Sequence, residues 1–227
     1  MLTSEKIVAL AELAQKRSSD LRTGYKLVYR DVTEMFPNIA EWHDHVSPWT
    51  VGAKNVDSDL MLIGQDWSSE NSLLAADIDE LREQGRTLKL ATNKRIERLL
   101  DKFFNRPFSA TFATNLFPFI KLGTISASIP MDDLILAARE YCIPQINIVA
   151  PTSVIVFGSS GFNALRRSVG LPKVKISGAA TDFQIGSTQI FGLPHPGGMG
   201  TANAGGDVIV EKLWRQIAKV HSKKLYK

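Results

Sequence analysis

Four short apolar runs, each ending abruptly in a glycine, amide, carboxylate or imidazole, constrain the fold of this chain more than any other feature. Leu60-Met61-Leu62-Ile63 runs straight into Gly64-Gln65-Asp66-Trp67. The same grammar recurs in Phe112-Ala113-Thr114-Asn115-Leu116-Phe117 and in Ser153-Val154-Ile155-Val156-Phe157-Gly158. It recurs again in Gln189-Ile190-Phe191-Gly192-Leu193, which leads into Pro194-His195-Pro196-Gly197-Gly198. Uninterrupted apolar strands suit a parallel sheet covered on both faces. In open sheets of that kind, ligands bind just beyond the carboxyl ends of the strands. Four strand ends would thus offer Asp66, Asn115, a glycine-serine turn and His195 to one pocket.

Between these runs the apolar spacing turns helical. Helical patterns cover Met1 to Arg17, Leu73 to Leu81 (ended by Gly85), Thr92 to Phe104, Met131 to Ile148, Phe162 to Val169 and Asp207 to Lys219. Pro144 falls inside the fourth, so either that helix kinks or two helices abut there. Residues 18–59 scatter aromatics among polar and proline positions and read as an irregular packed lead-in. Alternating strands and helices predict a three-layer α/β/α sandwich with a central, mainly parallel four-stranded sheet and right-handed crossovers. With 227 residues, one domain is expected over 1–227: a lead-in over 1–58, a motif-bearing core over 59–200, and a closing helix with a basic tail over 201–227.

Composition removes several classes of function. A hydrophobic content of 44% with 22% charge is that of a soluble globular chain. Cys142 stands alone, which excludes an internal disulfide, a cysteine-ligated iron-sulfur cluster and a cysteine-rich zinc site. His43 and His45 flank Asp44, a weak metal pattern in a loop, and no metal or cofactor is expected. No apolar run approaches the roughly 20 residues that span a bilayer, and charges at Glu5, Lys6, Glu12 and Lys16 interrupt any signal-peptide core. A cytoplasmic monomer without a membrane partner is expected. The net charge of +4 and pI near 9.2 permit an anionic partner. Much of the excess lies in Lys212, Arg215, Lys219, Lys223, Lys224 and Lys227, where a solvated helix end is the plainer reading.

Gly158-Ser159-Ser160-Gly161 opens a helix after a strand and could cradle a phosphate with backbone amides. It lacks the three spaced glycines of a dinucleotide fingerprint and the lysine of a P-loop, so a plain strand-to-helix turn competes with that reading. Asp66 alone could cap a helix, and His195 alone could be a hydrogen-bonded loop residue. Their joint placement at strand ends beside glycine or proline is what points to a site.

Together these residues resemble the motifs of the uracil-DNA glycosylase superfamily. Gly64-Gln65-Asp66 resembles its first motif, whose carboxylate serves the attacking water. Thr114-Asn115 resembles the strand-borne asparagine that reads the uracil edge, and His195-Pro196-Gly197-Gly198 resembles the motif whose histidine supports the leaving oxygen and whose loop enters the minor groove. The motifs run in order from about Asp59 to Gly200. The sequence departs from the pattern at several places: Trp67 replaces a proline, no Tyr-His follows it, Gly197 replaces a serine, and no phenylalanine lies about a dozen residues after Asp66. Trp67, Phe117 or Phe119 would have to supply the stacking ring. The resemblance implies a metal-free enzyme of base excision repair that hydrolyses the N-glycosidic bond of uracil or a related damaged base flipped from DNA. It implies catalysis by Asp66 and His195, base contacts from Gly64, Gln65, Trp67, Asn115 and Phe117, and DNA contacts from Ser159, Ser160, Pro196, Gly197 and Gly198. The alternatives are a noncatalytic or repurposed protein of that fold binding nucleic acid or a nucleobase, and an unrelated small-molecule hydrolase.

Overall fold

The computed structural model describes residues 1–176 and 180–225; Lys227 of the basic tail lies outside them. Helix α1 (Thr3–Ser19) leads through strand β1 (Tyr29–Arg30) and the single turn α2 (Val32–Met35) to strand β2 (Leu60–Asp66). Helices α3 (Glu70–Leu74), α4 (Ile78–Gln84) and α5 (Ala91–Phe104) follow, then strands β3 (Phe112–Phe117) and β4 (Ile120–Lys121). Helices α6 (Met131–Ala137) and α7 (Ile143–Val149) precede β5 (Ser153–Phe157) and α8 (Ser159–Ser168). The chain closes with β6 (Thr181–Ile185), β7 (Thr188–Leu193), α9 (Gly198–Asn203) and α10 (Asp207–Leu225).

The main sheet has five strands in the order β3-β2-β5-β7-β6, and all but β6 run parallel. The four expected strands are the parallel ones. The fifth is an antiparallel edge strand joined to β7 by Gly186-Ser187, with Gly186 at φ 56°. A two-residue link of this kind needs positive φ, which glycine supplies without strain. On β6 only Phe183 is buried while Asp182 and Gln184 are exposed, the alternation of a strand with one wet face. A separate two-stranded ladder pairs β1 with β4.

Each central strand is buried on both faces, and its alternating side chains feed two cores. Met61, Ile63, Val154 and Val156 pack with Leu134, Tyr141, Ile146, Phe162 and Leu165 from α6 to α8. Leu60, Leu62, Ile155 and Phe157 pack with Ile96, Leu99, Leu100, Leu213, Trp214 and Ile217 from α5 and α10. Removing one such side chain from water is worth about 1.5–3 kcal/mol, so the two helix layers hold the sheet and set its carboxyl edge rigidly. A third cluster of Val32, Ile39, Trp42, Leu73, Leu81 and Ile120 gathers the lead-in, α3, α4 and β4 around the half-buried Trp67.

Two local departures from the expected helices have plain causes. Leu73 to Leu81 forms two helices, because Asp77 leaves the helical path and caps the second through Glu80 N–H at 3.2 Å. Met131 to Val149 stays one helical run through Pro144, because a π-helical turn at Ala138–Cys142 absorbs the missing donor. On α10, Lys212, Arg215, Lys219 and Lys223 are solvent-exposed. Among the described residues, no helix is long and apolar enough to cross a membrane.

Acid sensitivity follows from the lead-in. Burial, reinforced by Lys54, pushes His45 down to about 4, while the unfolded chain titrates near its ordinary 6.5. The unfolded state therefore binds a proton that the folded state refuses, and stability falls as pH drops from 6.5 to about 4, by roughly 3 kcal/mol for this residue. Burial lowers His195 and His221 as well, with the same sign. Thermal melting across that window should show the loss, and His45→Gln should flatten the slope.

Candidate active site

The site begins where β2 and β3 run side by side with Gly64 opposite Asn115. A Cβ on residue 64 would sit 2.5 Å from Asn115 Nδ2 and 3.5 Å from the Trp49 ring, so only glycine lets the amide lie against the strand. Asn115 is 3% exposed, and its Oδ1 accepts from Ser47 Oγ at 2.7 Å. Trp49 N–H donates to the same Ser47 Oγ at 3.2 Å. With Ser47 Oγ donating to Oδ1, Nδ2 is left as the donor beside Gly64.

Asp66 ends β2, and its carboxylate is gripped on both oxygens. Lys121 Nζ lies 2.8 Å from Oδ2, with the two side chains 7% and 11% exposed. Gln65 Nε2 donates to Oδ1 at 3.0 Å. The β1–β4 ladder brings Lys121 there, since Tyr29 pairs with Lys121 and Arg30 with Ile120.

His195 stands in the turn after β7, with its ring at the surface and packed protein behind it. Gly197 N–H donates to its Nδ1 at 3.0 Å. A Cβ on residue 197 would lie 2.9 Å from that nitrogen, so glycine here gives the amide its reach, and a serine at this position would push the ring aside. Arg95 on α5 donates to Pro196 O at 2.6 Å, Gly158 N–H donates to Leu193 O at 2.8 Å, and a Cβ on Gly200 would come 2.1 Å from His195 O. The turn is thus tied to α5, β5 and α9. Desolvation of the imidazole by the protein packed behind it lowers its pKa, and the Asp66 carboxylate pulls the other way, which puts the two groups in one electrostatic neighbourhood.

The structure brings Gly64, Gln65, Asp66, Asn115 and His195 to one edge of the sheet, with Gly161 packed against Gln65 and Gly158 against His195. Ser159, Ser160 and Gly198 are exposed along the same rim, and Gly197 is half-buried. Trp67 is held beside the site: its Nε1 donates to Gly85 O at 2.8 Å and its ring meets Trp42 edge-on at 5.3 Å. Two expected contacts do not fit. Phe117 is fully buried among Tyr25, Tyr29 and Phe119, so no face of its ring is open to a base. Pro196 is buried too, and it anchors the turn through its carbonyl instead of presenting a surface to DNA. Among the described residues, no group of three His, Cys, Asp or Glu side chains is arranged to hold a metal ion; His43 and His45 form no such group.

Lys121, Ser47, Arg95 and Met199 emerge only from the fold. Lys121 grips Asp66, Ser47 orients Asn115, Arg95 pins the His195 turn, and Met199 stands 85% exposed on the rim just past that turn. No family model matches this chain, and no curated protein matches it.

Proposed function

We propose that this chain is a DNA glycosylase that hydrolyses the N-glycosidic bond of uracil or a related damaged base. The observation that carries the reading is the Gly197 N–H to His195 Nδ1 bond at 3.0 Å. A backbone amide can only donate, so Nδ1 accepts, and a neutral ring must then carry its hydrogen on Nε2. Desolvation by the packed protein behind the ring favours that neutral form. The turn therefore offers a fixed hydrogen-bond donor at the strand edge where Asp66 offers a carboxylate. Cleaving an N-glycosidic bond leaves a cation-like sugar and an anionic base, and the pair suits both: Asp66 orients water and balances the sugar, and His195 donates to the departing oxygen. The oriented Asn115 amide supports recognition of a base that presents a ring carbonyl.

Access requires a base outside the stack. Extrusion costs a few kcal/mol, which favours mismatched or single-stranded substrate. Exposed Met199 is the type of apolar wedge that fills a vacated base step, and the exposed Ser159 and Ser160 hydroxyls suit phosphate contacts.

A second reading, a fold that binds nucleic acid or a nucleobase without cleaving it, draws on two observations. Lys121 and Gln65 already occupy Asp66, and Phe117 offers no stacking face. Two measurements separate the readings. Oligonucleotides carrying uracil, hypoxanthine or xanthine, treated with the protein and then alkali, should break at the modified position; intact strands favour the binder. DNA affinity should also drop about tenfold or more between 50 and 200 mM salt, and salt-insensitive or absent binding would favour a free nucleobase.

A further inference from the structure

We propose that the site carries a second activity: the Lys121 amine, partnered by Asp66, forms a Schiff base with C1′ of an abasic deoxyribose and cuts the strand on its 3′ side by β-elimination. The inference rests on the reading above only in that the damaged sugar is taken to sit against Asp66.

Lys121 is the only buried lysine among the described residues, at 5% exposure. Its Nζ meets Asp66 Oδ2 at 2.8 Å and donates to Ile125 O at 2.5 Å. An ammonium has three hydrogens, and these two acceptors account for two of them. Burying an ion pair seldom stabilises a fold more than an apolar pair of similar volume, so structure alone gives little reason for an amine at this position. Lysines that act as nucleophiles are removed from bulk water and placed beside a group that takes their proton. The amine lies 2.8 Å from the carboxylate against which the sugar is taken to sit.

The chemistry balances without a cofactor. Asp66 takes a proton from Nζ, and the freed lone pair adds to the C1′ aldehyde of the ring-opened abasic sugar. The resulting hydroxyl leaves as water with the proton that Asp66 returns, giving a protonated imine. The restored carboxylate then removes a C2′ proton, the C3′–O bond breaks, and its electron pair departs with the 3′ phosphate. Water hydrolyses the imine, releasing Lys121 and an unsaturated aldehyde on the 5′ fragment. No step is a net oxidation or reduction.

The test uses DNA with a preformed abasic site, so base excision is not needed. The full chain is mixed with this DNA and sodium borohydride, which reduces an imine to a stable amine; strand cleavage is followed in parallel without borohydride. The proposal expects a covalent protein-DNA adduct, elimination products, and attachment mapped to residue 121 by mass spectrometry of the peptides. Lys121→Arg, which keeps a cation for Asp66, should reduce adduct and cleavage at least 100-fold. An absent adduct, an adduct unchanged in Lys121→Arg, or attachment to another amine such as that of Met1 overturns the proposal. Should Lys121→Arg fail to fold, mapping in the parent protein decides alone. Base excision without an adduct leaves the glycosylase reading standing, and an adduct without base excision overturns that reading alone.

Discussion

Asp66→Asn should abolish base excision and also weaken the fold. An amide can neither orient and deprotonate water nor balance a sugar cation, and loss of a general acid-base group typically costs about 10² to 10⁴ in rate. The stability cost arises from Lys121. With Asp66 neutralised, a nearly buried ammonium loses its only anionic partner among the described residues, and breaking one side of such a pair costs about 3 kcal/mol or more. Single-turnover excision and thermal melting measure the two effects separately. Adding Lys121→Met to Asp66→Asn should restore much of the melting temperature and none of the excision. Full activity in Asp66→Asn would remove the carboxylate from the mechanism.

His195→Ala should leave the fold intact and slow the chemical step by about 10² to 10³, the usual loss when one fixed donor facing developing charge is removed. The ring lies at the surface and, among the described residues, its hydrogen bond is to the Gly197 amide, so melting should barely change. The parent's pH profile carries a further signature. The ring that donates from Nε2 is neutral, and desolvation by the protein packed behind it holds its pKa below the ordinary value. Excision should therefore persist as pH falls through 6.5 and fail only at lower pH, where a proton on Nδ1 displaces the Gly197 N–H. A rate that rises on acidification through 6.5 would mean that a charged imidazole is the active form.

How much of this was legible in the sequence depended on how local the cause was. The four parallel strands could be read because burial on both faces leaves an uninterrupted apolar run, as in Leu60–Ile63. The sheet's carboxyl edge followed from where those runs stop. Strand β6 escaped because one wet face breaks its apolar run, although the Gly186-Ser187 link between two β-rich segments was a usable hairpin signal. In the site, Gly64, Asp66, Asn115 and His195 lie on strand ends or the turn beyond them, where order along the chain predicts position in space. Lys121 and Ser47 do not. They reach the site through the β1–β4 ladder and an irregular lead-in, long-range pairings that no periodicity records. Phe117 shows the limit of reading position alone: its place at the end of β3 suggested an open face, yet the aromatic cluster formed with Tyr25, Tyr29 and Phe119 covers it.

The most direct measurement is mass-spectrometric detection of free base released from a single-stranded oligonucleotide with one uracil, under single-turnover conditions, by the parent chain and by Asp66→Asn, Asn115→Asp and His195→Ala. The account predicts stoichiometric release by the parent, at least 100-fold slower release by the Asp66 and His195 variants, and impaired release by Asn115→Asp, whose ionised carboxylate cannot donate to a carbonyl oxygen. Equal release by all four proteins would show that another site does the chemistry. No release by the parent, from uracil or from hypoxanthine and xanthine substrates run beside it, would contradict the glycosylase reading itself.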